Sequence, residues 1–229
     1  MADLQSIVAR VKSALASGAA SPGHSGSNGA AHALEANRHQ LELVNQFAKE
    51  LEAVSGRTIG PVAPEELADR VIAVARERGV KSIAMGEGVV LDLNGTAQAL
   101  QATGMNVIRT GRVDSSTRAA LRDQLAHVDG GLAEADYGIA STGTVAVLSE
   151  ASRPSALTLL PAASIVVLRL DRMKPDLASA LAAIGSAAVE RHRLTLITGP
   201  SRTADIEKRI VMGVHGPKSL DVIVVRPHP

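Results

Sequence analysis

Three apolar runs narrow the choice of fold more than any other feature of this chain. They are Val80–Met85, Ser164–Leu170 and Leu220–Val225. None shows the regular alternation of apolar and polar residues that is typical of a strand with one face in water. Such runs predict buried strands of a parallel sheet whose two faces are covered by other elements. The chain is therefore predicted to be an α/β protein.

Helical periodicity and turn residues predict the remaining elements. Helices are predicted over residues 34–54, 64–78, 88–103, 115–126 and 175–189. Further strands are predicted over 57–59, 105–109, 137–140, 144–148, 156–160 and 194–197. This order of elements indicates a single α/β domain, which we predict to span residues 34–229.

The first 33 residues have a different composition from the rest of the chain. Residues 3–15 place leucine, isoleucine and valine on one helical face, whereas residues 17–33 are almost all Ser, Gly, Ala, Pro, His and Asn. We predict that residues 1–33 form a flexible N-terminal arm with a short amphipathic helix. A partly frayed terminus is the favoured interpretation, and docking onto a partner or second subunit is the alternative.

Composition argues against several classes of function. The chain has no cysteine, so iron–sulfur clusters and thiolate metal sites are excluded within it, and no histidines have a metal-ligand spacing. The net charge is +1 and aromatic residues make up 1%, which disfavours nucleic-acid binding. No apolar run approaches the roughly 20 residues of a membrane span, and no signal-peptide core is found. We expect a cytoplasmic protein that binds no metal itself.

The segment Leu194–Val225 holds the densest group of candidate site residues. It is predicted to run from a strand (Leu194–Ile197) through a turn and a helix (Ala204–Met212) to a second, parallel strand. In the turn, Gly199, Ser201, Arg202 and Thr203 would stand at the helix N-terminus, where an anion can bind. An ordinary capped helix is the favoured alternative, because Asp205 and Glu207 would themselves satisfy the helix dipole.

Other candidates lie on turns after strands. Ser141, Thr142, Gly143 and Thr144 form a hydroxyl-rich loop that can bind a carboxylate or phosphate, or can be a tight turn in which Gly143 has positive φ. If this loop and the turn that contains Arg202 lie side by side in the fold, both become stronger candidates for parts of one binding site.

Isolated candidates also follow or precede strands. Glu87 can be a general base or can open an acidic helix turn. His215 and Gly216 lie on a loop that lacks the phosphate-loop pattern, and a structural histidine is favoured there. Arg153 is a weaker anion contact.

Three segments together resemble the LUD-domain family, and within it the lactate-utilisation protein C branch. They are GIASTGTVAVLSE (138–150), LLPAASIVVLR (159–169) and ITGPSRTADIEKRIVMGVHGPKSLDVIVV (197–225). The resemblance implies a NagB/RpiA/CoA-transferase-like, three-layer α/β/α sandwich. It also implies a component of L-lactate oxidation to pyruvate that acts with partner proteins carrying iron–sulfur clusters. The positions that match the family motifs are Thr142, Gly143, Thr144, Gly199, Ser201, Arg202, Thr203, Asp205, Glu207, His215 and Gly216.

Two positions depart from the family pattern. Many relatives carry an acidic residue where Ser141 stands and a histidine where Ser164 stands. Proton chemistry at those positions would be absent from this chain. Two alternatives to a lactate-binding subunit therefore stay open: a non-catalytic scaffold or regulatory subunit, and an independent small-molecule enzyme of the same fold.

Overall fold

The computed structural model describes residues 29–111, 116–150, 153–185, 193–204, 210–212 and 216–227. Its strands are β1 (Arg57–Val62), β2 (Ser82–Met85), β3 (Asn106–Arg109), β4 (Gly130–Ala135), β5 (Tyr137–Ile139), β6 (Thr144–Ser149), β7 (Ala163–Arg169), β8 (Met173–Lys174), β9 (Arg193–Ile197), β10 (Arg202–Ala204), β11 (Ile210–Met212) and β12 (Ser219–Val225). Its helices are α1 (Gly29–Ala53), α2 (Leu67–Glu77), α3 (Val89–Leu93), α4 (Thr96–Ala102), α5 (Arg118–Ala126), α6 (Ala156–Leu159) and α7 (Leu177–Ile184).

Six parallel strands form the central sheet, in the order β1-β12-β7-β4-β2-β3. The interior strands are buried on both faces, as their apolar sequences require. One face packs against α2, α3 and α4 through residues such as Val71, Leu91 and Leu100. The opposite face packs against α1, α5 and α6. This arrangement confirms the three-layer α/β/α prediction.

A second sheet of four strands, in the order β8-β5-β6-β9, lies beside α1. Its pairs β5–β6 and β6–β9 are antiparallel. Phe47 and Leu51 of α1 are fully buried in one cluster with Val145 of β6 and Val222 of β12. Helix α1 therefore joins the second sheet to the central one.

The chain reverses its direction of progress across the central sheet next to β2. From β2 it forms β3 on one side, and it then returns to form β4 on the other side of β2. Such a switch point leaves a crevice at the carboxyl ends of the strands, where ligands bind in open α/β sheets. Glu87 lies at this crevice, directly after β2.

The predicted parallel crossover at 194–225 is wrong. Strand β9 belongs to the second sheet and pairs antiparallel with β6, while β12 lies inside the central sheet. The predicted helix over 204–212 is replaced by the antiparallel pair β10–β11, in which Thr203 faces Val211. β-Branched residues such as Thr, Val and Ile favour strands because their side chains fit a pleated surface. Residues 205–209 lie outside the described residues.

Two further predictions fail locally. Residues 156–160 were expected to form a strand but form helix α6, because a short apolar run carries no periodicity that separates the two. Strand β4 was not predicted, although it lies at the centre of the sheet. Its sequence GGLAEA lacks β-branched and aromatic residues, and tertiary burial supplies the stability that its propensity does not.

The predicted N-terminal arm lies almost entirely outside the part of the chain that the structure describes. Residues 1–28, including the predicted helix at 3–15, lie outside the described residues, and α1 already begins at Gly29. The domain boundary at residue 33 therefore stays a prediction. Within the described ranges, none of the helices combines the length and the apolar character needed to cross a bilayer.

Candidate functional site

The hydroxyl-rich loop at 141–144 contacts the turn that follows β9. Thr144 Oγ1 lies 2.7 Å from Thr142 Oγ1 and 2.7 Å from Thr198 Oγ1, so the three hydroxyls form a continuous hydrogen-bonded chain. Gly143 has a φ of +60°, as the tight-turn alternative requires. The loop therefore contacts Thr198, the first residue after β9.

Gly143 is also held against α1. A Cβ atom added at this glycine would stand 2.3 Å from the backbone nitrogen of Leu51. The loop therefore approaches the helix more closely than any side chain allows, and the Thr142–Thr144 hydroxyls are placed by that contact.

The turn at 199–201 meets the loop at 216–217. Ser201 N–H donates to Pro217 O at 2.8 Å, and Gly216 lies directly beside the Ser201 side chain. Gly199 has a φ of +125° and packs on Val54 at the end of α1. Three of the predicted site residues, Gly199, Ser201 and Gly216, are thereby brought together.

These residues line a pocket of about 280 Å³ at the amino ends of β7 and β12, which we call the Ser164 pocket. Its other lining residues are Thr158, Leu159, Ser164, Ile197, Pro217 and Leu220. Ser164 is only 1% exposed, and none of the described residues forms a hydrogen bond with its Oγ. A buried hydroxyl without a hydrogen-bond partner lowers the stability of the fold. A polar ligand in this pocket could form the missing hydrogen bond with Ser164.

The helix N-terminus expected at Ser201–Thr203 is absent from this turn, since Arg202 and Thr203 belong to strand β10. Within residues 201–204, which the structure describes, no helix begins, so no helix dipole is available there to hold an anion. The side chains of Arg202 and Thr203, and the whole of His215, lie outside the described residues.

Glu87 lies in a separate cleft of about 510 Å³ at the carboxyl ends of β2, β4 and β7. The charged lining residues of this carboxyl-end cleft are Glu87, Asp92, Glu134, Asp136, Glu150, Arg153, Arg169 and Arg172. Of the predicted site residues, Glu87 therefore lines one cavity and Gly199, Ser201 and Gly216 line another at the opposite end of the sheet, whereas residues 141–144 line neither.

Glu134 is the most unusual group of the carboxyl-end cleft. It is 8% exposed and its Oε2 accepts a hydrogen bond of 3.0 Å from Val90 N. Burial raises the pKa of its carboxyl group, although the Val90 N–H and the charges of Arg153 and Arg169 oppose the rise. Carboxyl groups whose pKa is raised by burial are candidates for general acid–base catalysis.

Arg153 is held by neighbouring carboxylates. Its guanidinium reaches Glu150 at 3.1 Å and Asp136 at 3.4 Å, and Asp136 also accepts a 2.7 Å bond from Leu148 N. The anion contact predicted at Arg153 is therefore already occupied by the protein's own acids.

Sequence reasoning missed Glu134 and did not treat Ser164 as a pocket residue. Glu134 lies on the strand that was not predicted, and an acid inside an apolar strand was the available signal. Ser164 was noted only as a departure from a family pattern. Among the described residues, no three His, Asp or Glu side chains gather as a metal site.

Comparison with known proteins identifies close relatives. The sequence profile of the LUD domain matches residues 44–225. The chain is 30% identical over 162 residues to uncharacterized protein YkgG of Escherichia coli (strain K12), covering 69% of this chain and 68% of that protein.

Relatives with a functional name match over a shorter stretch. The chain is 33% identical to lactate utilization protein C of Halalkalibacterium halodurans, over 49% of this chain and 50% of that protein. It is 36% identical to lactate utilization protein C of Deinococcus radiodurans, over 44% and 49% respectively. The aligned part thus spans about half the length of these relatives.

A solved structure shares the fold. The crystal structure of a DUF162 family protein from Deinococcus radiodurans superposes with a TM-score of 0.58 at 24% identity. The match covers 81% of this chain and 98% of that one.

Proposed function

Because the chain belongs to the LUD domain family, we propose that it is a component of L-lactate utilisation. Relatives named lactate utilization protein C support this role. In this proposal the chain binds a small carboxylate such as lactate, and partner proteins with iron–sulfur clusters carry the electrons.

The observation that supports the proposal is that three of the predicted site residues line the Ser164 pocket. Gly199 and Ser201 come from one turn and Gly216 from another loop, and they line the cavity with the Ser164 hydroxyl, which has no hydrogen-bond partner among the described residues. The hydroxyl of a serine side chain can rotate among three staggered positions. It can therefore turn to form a hydrogen bond with a bound hydroxy acid. Arg202, next to Ser201 in the chain, would supply the charge that a carboxylate requires.

Oxidation of lactate to pyruvate releases two electrons and two protons. The chain contains no cysteine and so cannot hold an iron–sulfur cluster through thiolates. Electron carriers in partner proteins are therefore part of the proposal, and this chain's share is to hold the carboxylate.

The test is lactate-dependent dye reduction in extracts of a strain from which this chain has been deleted. We expect rescue by the wild-type chain and by Arg76→Ala, an exposed arginine on α2, but not by Arg202→Ala. Circular dichroism must show that all three are folded. Unchanged lactate oxidation in the deletion strain contradicts the role in lactate utilisation. Rescue by Arg202→Ala contradicts the carboxylate clamp and favours a scaffold.

A second candidate function is favoured by Glu134. Perturbed carboxyl groups are frequent at the catalytic sites of enzymes, and burial raises the pKa of Glu134 at the carboxyl ends of the strands. In this alternative Glu134 transfers a proton to a substrate in the carboxyl-end cleft. A thermal shift of the wild-type chain with a sugar phosphate, an acyl-CoA or a folate but none with lactate, and catalysis on that ligand that is lost in a folded Glu134→Gln chain, would select it.

A further inference from the structure

Three arginines surround a groove of about 450 Å³ between α5 and the second sheet, which we call the arginine groove. Arg118 and Arg122 project from α5, and Arg193 begins β9. The remaining lining residues are Leu121, Ser149, Glu150, Pro154, Ser155 and Ala156. Neither of the functions proposed above uses this groove.

The arginines carry charge that the described residues do not neutralise. Arg118 and Arg193 form no ion pair with a described carboxylate. Arg122 reaches only Asp123, at 3.6 Å, and both side chains are 70% exposed, so water weakens that pair. Glu150 is the single acid of the described lining, and its Oε1 already accepts a bond from Arg153. The described lining of the groove therefore has an excess of positive charge, three arginines against one glutamate.

The start of α5 adds to this excess. Arg118 is the first residue of the helix, and its first turn contains no acidic residue. Cations at this end of a helix oppose the dipole, whereas an anion there is stabilised by it. A negatively charged ligand would relieve the unfavourable position of Arg118.

The opposite wall offers a hydroxyl. Ser149 and Arg193 are direct partners across the antiparallel pair β6–β9, so their side chains leave the sheet on the same face. The Ser149 Oγ is buried and has no hydrogen-bond partner in the part of the chain that the structure describes. A ligand beside Arg193 can supply the partner that this hydroxyl lacks.

We propose that the arginine groove binds a small phosphate-bearing molecule with at least two negative charges. Guanidinium groups bind phosphate oxygens through paired N–H donors, and three of them match a diphosphate better than a monocarboxylate. Leu121, Pro154 and Ala156 form an apolar wall that can cover the organic part of such a ligand. The groove is distinct from the Ser164 pocket, and its occupancy does not depend on the proposed lactate function.

The test is isothermal titration calorimetry of the full chain with pyrophosphate and, separately, with ADP at low salt. We expect saturable binding at one site and at least about a tenfold loss of affinity in Arg118→Ala and in Arg193→Ala. Ser149→Ala should weaken binding without lowering the melting temperature, because its hydroxyl makes no hydrogen bond in the free protein. Arg70→Ala removes an exposed arginine from α2 and should bind as the wild type does.

Absence of saturable binding of both ligands would overturn the proposal, as would wild-type affinity in both Arg118→Ala and Arg193→Ala. Tighter binding of ADP than of pyrophosphate would support a role for the apolar wall. L-lactate should not displace pyrophosphate, and displacement would overturn the assignment to a separate site.

Discussion

At the scale of single residues, Asp221 connects three parts of the fold. Its side chain is fully buried on β12 and accepts bonds from Arg57 Nε at 2.6 Å and from Arg78 Nε and Nη2 at 2.8 Å. Arg57 begins β1 and Arg78 follows α2, so one carboxylate fixes an edge strand and a helix end to the central sheet.

We expect Asp221→Asn to lower the free energy of unfolding by about 2–3 kcal/mol, because three charge-assisted hydrogen bonds from two arginines to a buried group are weakened or lost. Both arginines are about one third exposed and can turn to water, which limits the loss. Urea unfolding measures the change. Asp171→Asn is the matched control: Asp171 is a half-exposed acid bonded to Arg169, and the change there should stay below about 1 kcal/mol. Equal losses in the two variants would contradict this account.

The raised pKa of Glu134 predicts that the free energy of unfolding depends on pH. Because burial raises its pKa in the folded protein, the folded state holds the proton more tightly than the unfolded chain does. Stability is therefore lost as the pH rises from the unfolded value, about 4.3, through the higher folded pKa, and is constant above it.

Glu134→Gln removes this loss while keeping an oxygen that can accept the Val90 N–H. The stability of the variant relative to the wild type should rise with pH across that interval, as measured by urea unfolding at a series of pH values. A difference that does not change with pH would show that Glu134 titrates normally.

At the scale of elements, the contact between the 141–144 loop and α1 can be tested with two glycines. Gly143 and Gly79 have similar φ values, +60° and +68°, but nothing lies within 4 Å of a Cβ at Gly79, whereas Leu51 blocks one at Gly143. Gly79→Ala should cost about 1 kcal/mol from backbone strain alone. Gly143→Ala should cost at least about 3 kcal/mol, because α1 must also move. Similar losses in thermal unfolding would contradict a close approach.

The strands also differ in how far they could be predicted from the sequence. Strands β7 and β12 were predictable because their apolar runs leave no other place than a buried sheet. Strand β4 was not, because glycine and alanine carry little intrinsic preference and its burial comes from neighbours distant in the sequence. Strands β10–β11 were not predictable for a different reason: the apolar residues of 204–212 fit a helical period as well as a strand.

The candidate site was predictable in part for the same reason. The turn residues at 141–144 and 199–201 follow strands and could be recognised there, whereas their contact through Thr144 and Thr198 depends on the pairing of β6 with β9. Glu134 could not be assigned to the carboxyl-end cleft without knowing that its strand exists.

At the scale of the whole molecule, β12 determines whether the central sheet can form. It lies between β1 and β7 and pairs with both, so β1 has no other neighbour in that sheet. We expect a chain that stops after residue 217 to show no cooperative thermal transition, because it loses the buried face of β12 and leaves β1 unpaired. A chain that stops after residue 227 is the control and should unfold cooperatively. A cooperative transition in the shorter chain would contradict the central role of β12.

This order of strands has a consequence during synthesis. Arg57 on β1 and its partner Asp221 are 164 residues apart, so at translation rates of about 5–20 residues per second β1 emerges from the ribosome roughly 8 to 33 s before its partner. Throughout that time the nascent chain exposes an unpaired strand edge, which is a target for chaperones and for aggregation. Interrupted translation products would lack the strand that completes the sheet, and proteases would remove them as unfolded chains.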